Sequence, residues 1–320
     1  MNKKISTSTN QIIDAKPSVK LLYITVIFLK EKIFMISINR EIKFWILVSL
    51  LSLLLWTLYW TIPSSLERIV DLISGQSIPG ESFGGLMYVW MEVSAAIGTT
   101  VRSIGVVFGI IVIYFLSFGN RNFKDVKKLV AGGLLIEAFY YFTLGFPSGL
   151  YMTTGGYGGA FVTLGVSYLL QFLFTTPLLL ILGVKVFSQK KKGSDWFKWA
   201  SFAFVGYIGA LWVNSVFRWL DMISAEGLSV FLTGIRAVGS LNAFIVMSLA
   251  VVFGVLSVNY LLKEKKNGFR WAGLALAMVG LHYLIYLLYS YVGGMGNFVL
   301  IAEVWAIPLL GLGVSIARKK

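Results

Sequence analysis

The chain predicts an all-α fold: a polytopic transmembrane bundle of about eight spans, built as a 4+4 parallel internal duplication with both termini cytoplasmic. Three observations predict it. Hydrophobic residues make up 57% of 320, charged residues only 13%, and mean hydropathy is +0.80. A soluble domain of this length cannot hide so much apolar surface in one core. Lysine and arginine fall between alternate apolar runs, and four short motifs occur twice in the same order.

The spans come first. Apolar runs long enough to cross about 30 Å of hydrocarbon are read at 43–62, 98–118, 129–146, 160–187, 199–220, 237–262, 271–292 and 298–317. In lipid each must satisfy its own backbone polar groups, which makes them helices.

Orientation follows from charge. All but four of the 28 basic residues lie in the first 43 residues, near 121–128, 185–198 and 263–270, or at Arg318, Lys319 and Lys320. By the positive-inside rule that face is the cytoplasm, giving a multi-pass protein of the cell membrane. The net charge of +14 is therefore a topology signal. Nucleic acid is not an expected partner, whereas membrane lipid is.

The N-terminal segment, 1–42, opens on the polar MNKKISTSTNQ and is expected to be partly disordered. LLYITVIFL, 21–29, is too short to span and reads as an interfacial helix. A ninth span and a start at Met35 are the alternatives.

The repeat is carried by motif order. RIVDLIS (68–74) returns as RWLDMIS (218–224), TTVRSIG (99–105) as TGIRAVG (233–239), GGYG (155–158) as GGMG (293–296), and PLLLILGV (177–184) as PLLGLGV (308–314). The expected organisation is a first four-span repeat over 43–187, a basic cytoplasmic linker over 188–198, and a second repeat over 199–320. Four spans is an even number, so the halves are parallel and their axis runs along the membrane normal.

The four remaining basic residues are Arg68, Arg102, Arg218 and Arg236, every one inside a repeated motif. Asp71, Asp221, Glu92 and Glu226 accompany them at matching offsets. Arginine's planar fork suits carboxylate or phosphate. One reading makes these eight residues an outer vestibule for a small anionic substrate or lipid head group, with Arg102 near the outer boundary. The other makes them ionic latches between helix ends. Gly105-x3-Gly109 and Gly239-x3-Ala243 are expected to let spans 2 and 6 cross closely near the axis.

Deeper in the spans, Glu137, His282 and Glu303 are ionisable groups in apolar surroundings and form a candidate proton relay. The bland alternative for each is a neutral, hydrogen-bonded side chain, Glu137 with Tyr140, Tyr141 or Gln171. Pro177 and Pro308 mark matching kinks, and Trp45, Trp60, Trp199, Trp219 and Trp271 read as interfacial anchors.

No cysteine and one histidine leave no usual metal, thiolate or bis-histidine haem site, and no cofactor is expected. HExxH, GxSxG and P-loop patterns are missing. A catalytic role is thus the weaker case. The leading expectation is a transporter or flippase-like carrier of an anionic or zwitterionic substrate. A non-catalytic scaffold is second, and a membrane-embedded lipid-modifying enzyme third.

Overall fold

The computed structural model describes residues 40–58, 62–74, 83–119, 123–154, 162–188, 195–226, 238–239, 242–263, 265, 267–292 and 306–318. The elements are α1 (Arg40–Trp56), α2 (Ile62–Ser74), α3 (Phe83–Ser117), α4 (Phe123–Tyr140), a π-helical turn (Tyr141–Gly145), α5 (Phe146–Thr153), α6 (Val162–Ser188) and α7 (Asp195–Glu226). A second π-turn (Asn242–Val246), α8 (Met247–Leu262), α9 (Asn267–Val292) and α10 (Ala306–Ala317) complete the order. The segment proposed as an interfacial helix, 21–29, lies outside the described residues.

Among the described residues, 6 helices are long and apolar enough to cross a membrane: Leu86–Ser117, Val126–Thr153, Gly165–Ser188, Lys198–Phe217, Phe244–Leu262 and Asn267–Leu288. They fall on expected spans 2 to 7. The shorter α1 and α10 occupy the places of spans 1 and 8. Large apolar side chains project outward around the whole bundle, among them Leu55, Phe174, Phe187, Val255, Leu288 and Ile307, all more than half exposed. Water would not tolerate apolar surface of that extent on a monomer, and hydrocarbon does. The chain is an apolar helical bundle of the kind a multi-pass membrane protein builds.

Helices pack with their neighbours in sequence. α1 packs on α3, α3 on α4, α4 and α5 on α6, α6 on α7, α7 on α8, α8 on α9, and α9 on α10. The last then returns to the first, α10 against α1. Paired contacts run in opposite senses along neighbouring helices. On α6 and α7, Ser167 meets Asn214 while Leu178 meets Gly206. On α9 and α10, Gly273 meets Ala317 while Gly280 meets Leu310. The pairs are therefore antiparallel, an up-and-down ring. At its closure Ser315 Oγ donates to Glu41 Oε1 at 2.7 Å, and Gly311 lies against the Trp45 ring. The start of α1 and the end of α10 thus share one face of the bundle.

Close approach within the ring depends on small residues, because apolar burial gives helices little reason to associate in lipid. Gly183 of α6 lies over Ala131 and Leu135 of α4, and Gly313 of α10 lies over Gly273 and Ala277 of α9.

Two sequence expectations are corrected. Gly105 does not bring spans 2 and 6 together. A Cβ there would meet Ile136 Cγ2 at 2.8 Å and Glu137 Oε1 at 3.5 Å, so its small size serves the contact with the next helix. In an up-and-down ring, short connections make sequence neighbours the packing partners. Trp219 is no lipid anchor either: it is buried, with its ring over Gly239. Trp271 packs on Phe253 and Tyr260.

Candidate binding site at the bundle centre

α3 is one unbroken helix of 35 residues, about 52 Å long. Arg102 stands about 22 Å from its Ser117 end, inside the span of a bilayer core about 30 Å thick. Its side chain is 5% exposed and turned into the bundle. It is held by α4. Arg102 Nη1 donates to Tyr140 Oη at 3.4 Å, and the guanidinium carbon sits 4.9 Å from the centre of the Tyr140 ring. A cation over a desolvated aromatic face is stabilised by the ring quadrupole.

Glu137, also buried, stands one turn before Tyr140, and its carboxylate faces Gly105, one turn along α3 from Arg102. Carboxylate and guanidinium lie within each other's electrostatic reach, together with Tyr141 and Tyr207. Burying either charge alone would cost several kcal/mol, and placing opposite charges together offsets much of that. Glu92, half-buried, is about 15 Å from Arg102 along the same helix, so the two do not form a local pair.

The π-turn begins at Tyr141. Inserting a residue into the helical repeat aims Tyr140 and Tyr141 differently from a regular α-helix, and such turns cluster at functional sites. Tyr140 contacts Arg102 from α3, while Tyr141 lies within electrostatic reach of Tyr207 on α7. Tyr207, fully buried, also senses Tyr283 on α9. Beside Tyr283 is His282, whose Nε2 is 3.3 Å from Ser215 Oγ of α7 and whose backbone oxygen accepts from Asn242 Nδ2 at 2.9 Å. Arg102, Glu137, Tyr140, Tyr141 and Tyr207 thus lie in one buried interior, with Tyr283 and His282 of α9 beside them.

The structure therefore brings Arg102, Glu137 and His282 into one interior, while Glu92 stands apart. Arg68 and Asp71 stand on α2, and Arg218, Asp221 and Glu226 on the last turns of α7. The side chains of those five lie outside the described residues, as do Arg236 and Glu303 altogether. Sequence reasoning missed Tyr207, Asn242 and most of a buried stripe on α6, Ser167 and Thr175 on either side of Gln171, which it had named only as a partner for Glu137. That stripe had a readable signal: polar residues four apart in an apolar run, all on one helix face. Among the described residues no group of three or more metal-ligating side chains is found.

Fold and site together define a class, a multi-pass helical membrane protein with a charged, aromatic-lined centre. No protein-family model matches the chain, and neither the curated proteins nor the solved structures include a match.

Proposed function

We propose that this protein is a carrier for an anionic or zwitterionic substrate across the cell membrane, with Arg102 as the residue that meets the negative group. The observation that carries this reading is the buried Arg102 and Glu137 among tyrosines at the centre of an apolar bundle. Ionisable groups at that depth are costly and mark substrate or ion pathways by default. The rim residues Arg68, Arg218, Arg236, Asp71, Asp221, Glu92 and Glu226 would form the approach to it.

The carrier is proposed to work as two parallel four-span halves rocking about an axis normal to the membrane, with the basic loops cytoplasmic. Packing supports the duplication independently of motif order. Gly183 and Gly313 occupy matching motifs, and each contacts the third span of its own half through the same two positions, Ala131 and Leu135 or Gly273 and Ala277. The same offset carries Tyr140 to His282 and Tyr141 to Tyr283. Both pairs are T-shaped, with ring centres 5.6 and 5.0 Å apart. The shared face of Glu41 and Ser315 supports an even number of crossings.

Glu137, His282 and Glu303 are proposed to carry protons coupled to that movement. The test is uptake by proteoliposomes against a panel of organic anions and phospholipids, with and without a pH gradient. Glu137→Gln and His282→Ala should each abolish the stimulation by the gradient; stimulation that survives both variants, and Glu303→Gln as well, ends the relay. Transport of no panel member would favour a second reading, a scaffold. The engagement of Arg102 by Tyr140 of the adjacent helix suits that reading.

A further inference from the structure

Buried polar groups in this bundle are distributed unevenly along its length. Towards the face shared by Glu41 and Ser315, the buried side chains are mostly apolar, such as Ile113, Leu116, Val130, Leu182, Phe204 and Leu276, and among the described residues the buried polar ones are only serines. From the level of Glu137, one turn short of Arg102, to the opposite face lie Arg102, Tyr140, Tyr141, Gln171, Tyr207 and His282. One half of the interior is mainly apolar and the other is not.

On the polar side, α6 presents groups that the protein leaves unanswered. Gln171 Nε2, Thr175 Oγ1 and Thr176 Oγ1 are buried with no hydrogen-bond partner among the described residues, at 6%, 2% and 6% exposure of their side chains' residues. An unanswered buried donor costs about 1–3 kcal/mol, so three in two turns point to something that supplies acceptors. Helix register places them beside the charged centre. Gly145 against Phe172 and Gly183 against Leu135 bring Tyr140 and Tyr141 level with Thr176 and Pro177. Leu178 against Gly206 and Ser167 against Asn214 bring Thr175 level with Tyr207.

Two backbone irregularities meet at the same place. Pro177, inside α6, cannot donate to the carbonyl of Leu173, and the π-turn of Tyr141–Gly145 packs directly on α6. At membrane depth, irregular backbone is tolerated where it is enclosed by protein or lines a polar cavity.

We infer that this interior is a one-sided ligand cleft, closed towards the basic loops and opening on the opposite face, in which Gln171, Thr175 and Thr176 form a donor subsite beside Arg102. The ligand is a phosphate or carboxylate bearing further acceptor oxygens, either a free solute or a lipid head group. Arginine takes the anion and the α6 donors take the additional oxygens. The inference rests on the binding role proposed for Arg102.

The chain contains 0 cysteines, so single thiols can be introduced without masking native ones. Full-length Gln171→Cys, Thr175→Cys, Leu182→Cys and Val130→Cys would be challenged with a charged, membrane-impermeant thiol reagent in right-side-out and inverted vesicles. Gln171→Cys and Thr175→Cys should react only from the face away from the basic loops, and the other two from neither. Ser167→Cys, on the same stripe, replaces either of the first two if it does not fold. Glycerol 3-phosphate, or phosphatidylglycerol in the bilayer, should slow the reaction about tenfold at ten times its Kd. Protection by the first identifies a solute and by the second a head group. Arg102→Gln should remove the protection. Reaction from the basic face, equal reaction of all four thiols, no reaction, or no protection by any probe would overturn the cleft. Protection without transport would instead retire the carrier reading and leave the site standing.

Discussion

Arg102→Lys is expected to give a folded protein that has lost at least about tenfold in affinity for its anionic substrate, roughly 1.4 kcal/mol. Lysine keeps the charge that Glu137 faces, so the buried electrostatics survive. It does not keep the planar fork or the stacked geometry over Tyr140. Arg102→Leu should do more, destabilising the bundle by about 3–5 kcal/mol, because it removes the cation nearest a buried carboxylate. Adding Glu137→Gln should restore much of that loss, and the double-mutant cycle should show about 1–3 kcal/mol of coupling. Binding measured beside thermal unfolding separates the two readings of this arginine. Unchanged affinity in Arg102→Lys would make it a latch.

Gly313→Ala is expected to lower the thermal midpoint far more than Gly183→Ala, although the two glycines hold matching places. A Cβ at Gly313 would fall on backbone: the nitrogen of Ala277, its Cα at 2.8 Å and the Gly273 oxygen at 2.7 Å. Relief requires separating α9 from α10, the most extensive helix pair in the bundle, and overpacking of this kind costs about 1–3 kcal/mol or more. At Gly183 the nearest atoms are Leu135 Cδ2 and Cγ, at 3.0 and 3.1 Å. A leucine side chain can rotate away, and the cost should stay below about 1 kcal/mol. Unfolding monitored by size-exclusion fluorescence would rank the variants. Equal effects would mean that helix separation is not what Gly313 controls.

These two sites also show what was legible in the sequence. Helices of spanning length announce themselves because hydrocarbon demands one repeated solution, so α3 and α6 to α9 fall close to the apolar runs. The PLL-containing motifs put Gly183 and Gly313 at matching places in the sequence, and each lies against a neighbouring helix. Partner choice was not legible. Gly105-x3-Gly109 says that a helix comes near, but nothing in the spacing says which one, and it proved to be the next in sequence. The burial of Arg102 was not legible for a related reason. Its cost depends on Tyr140 and Glu137, which lie 38 and 35 positions away on another helix. Tyr207 had no local signal at all: a tyrosine in an apolar run looks the same facing lipid or facing two other tyrosines.

The hydrogen bond between Ser315 and Glu41 closes the ring, and it has a consequence for chain connectivity. Because the end of α10 already lies beside the start of α1, the gene can be cut and rejoined. A circular permutant that opens between Ser188 and Asp195 and joins Arg318 to Arg40 through a short linker should assemble into the same bundle. Its two halves would simply be read in the reverse order.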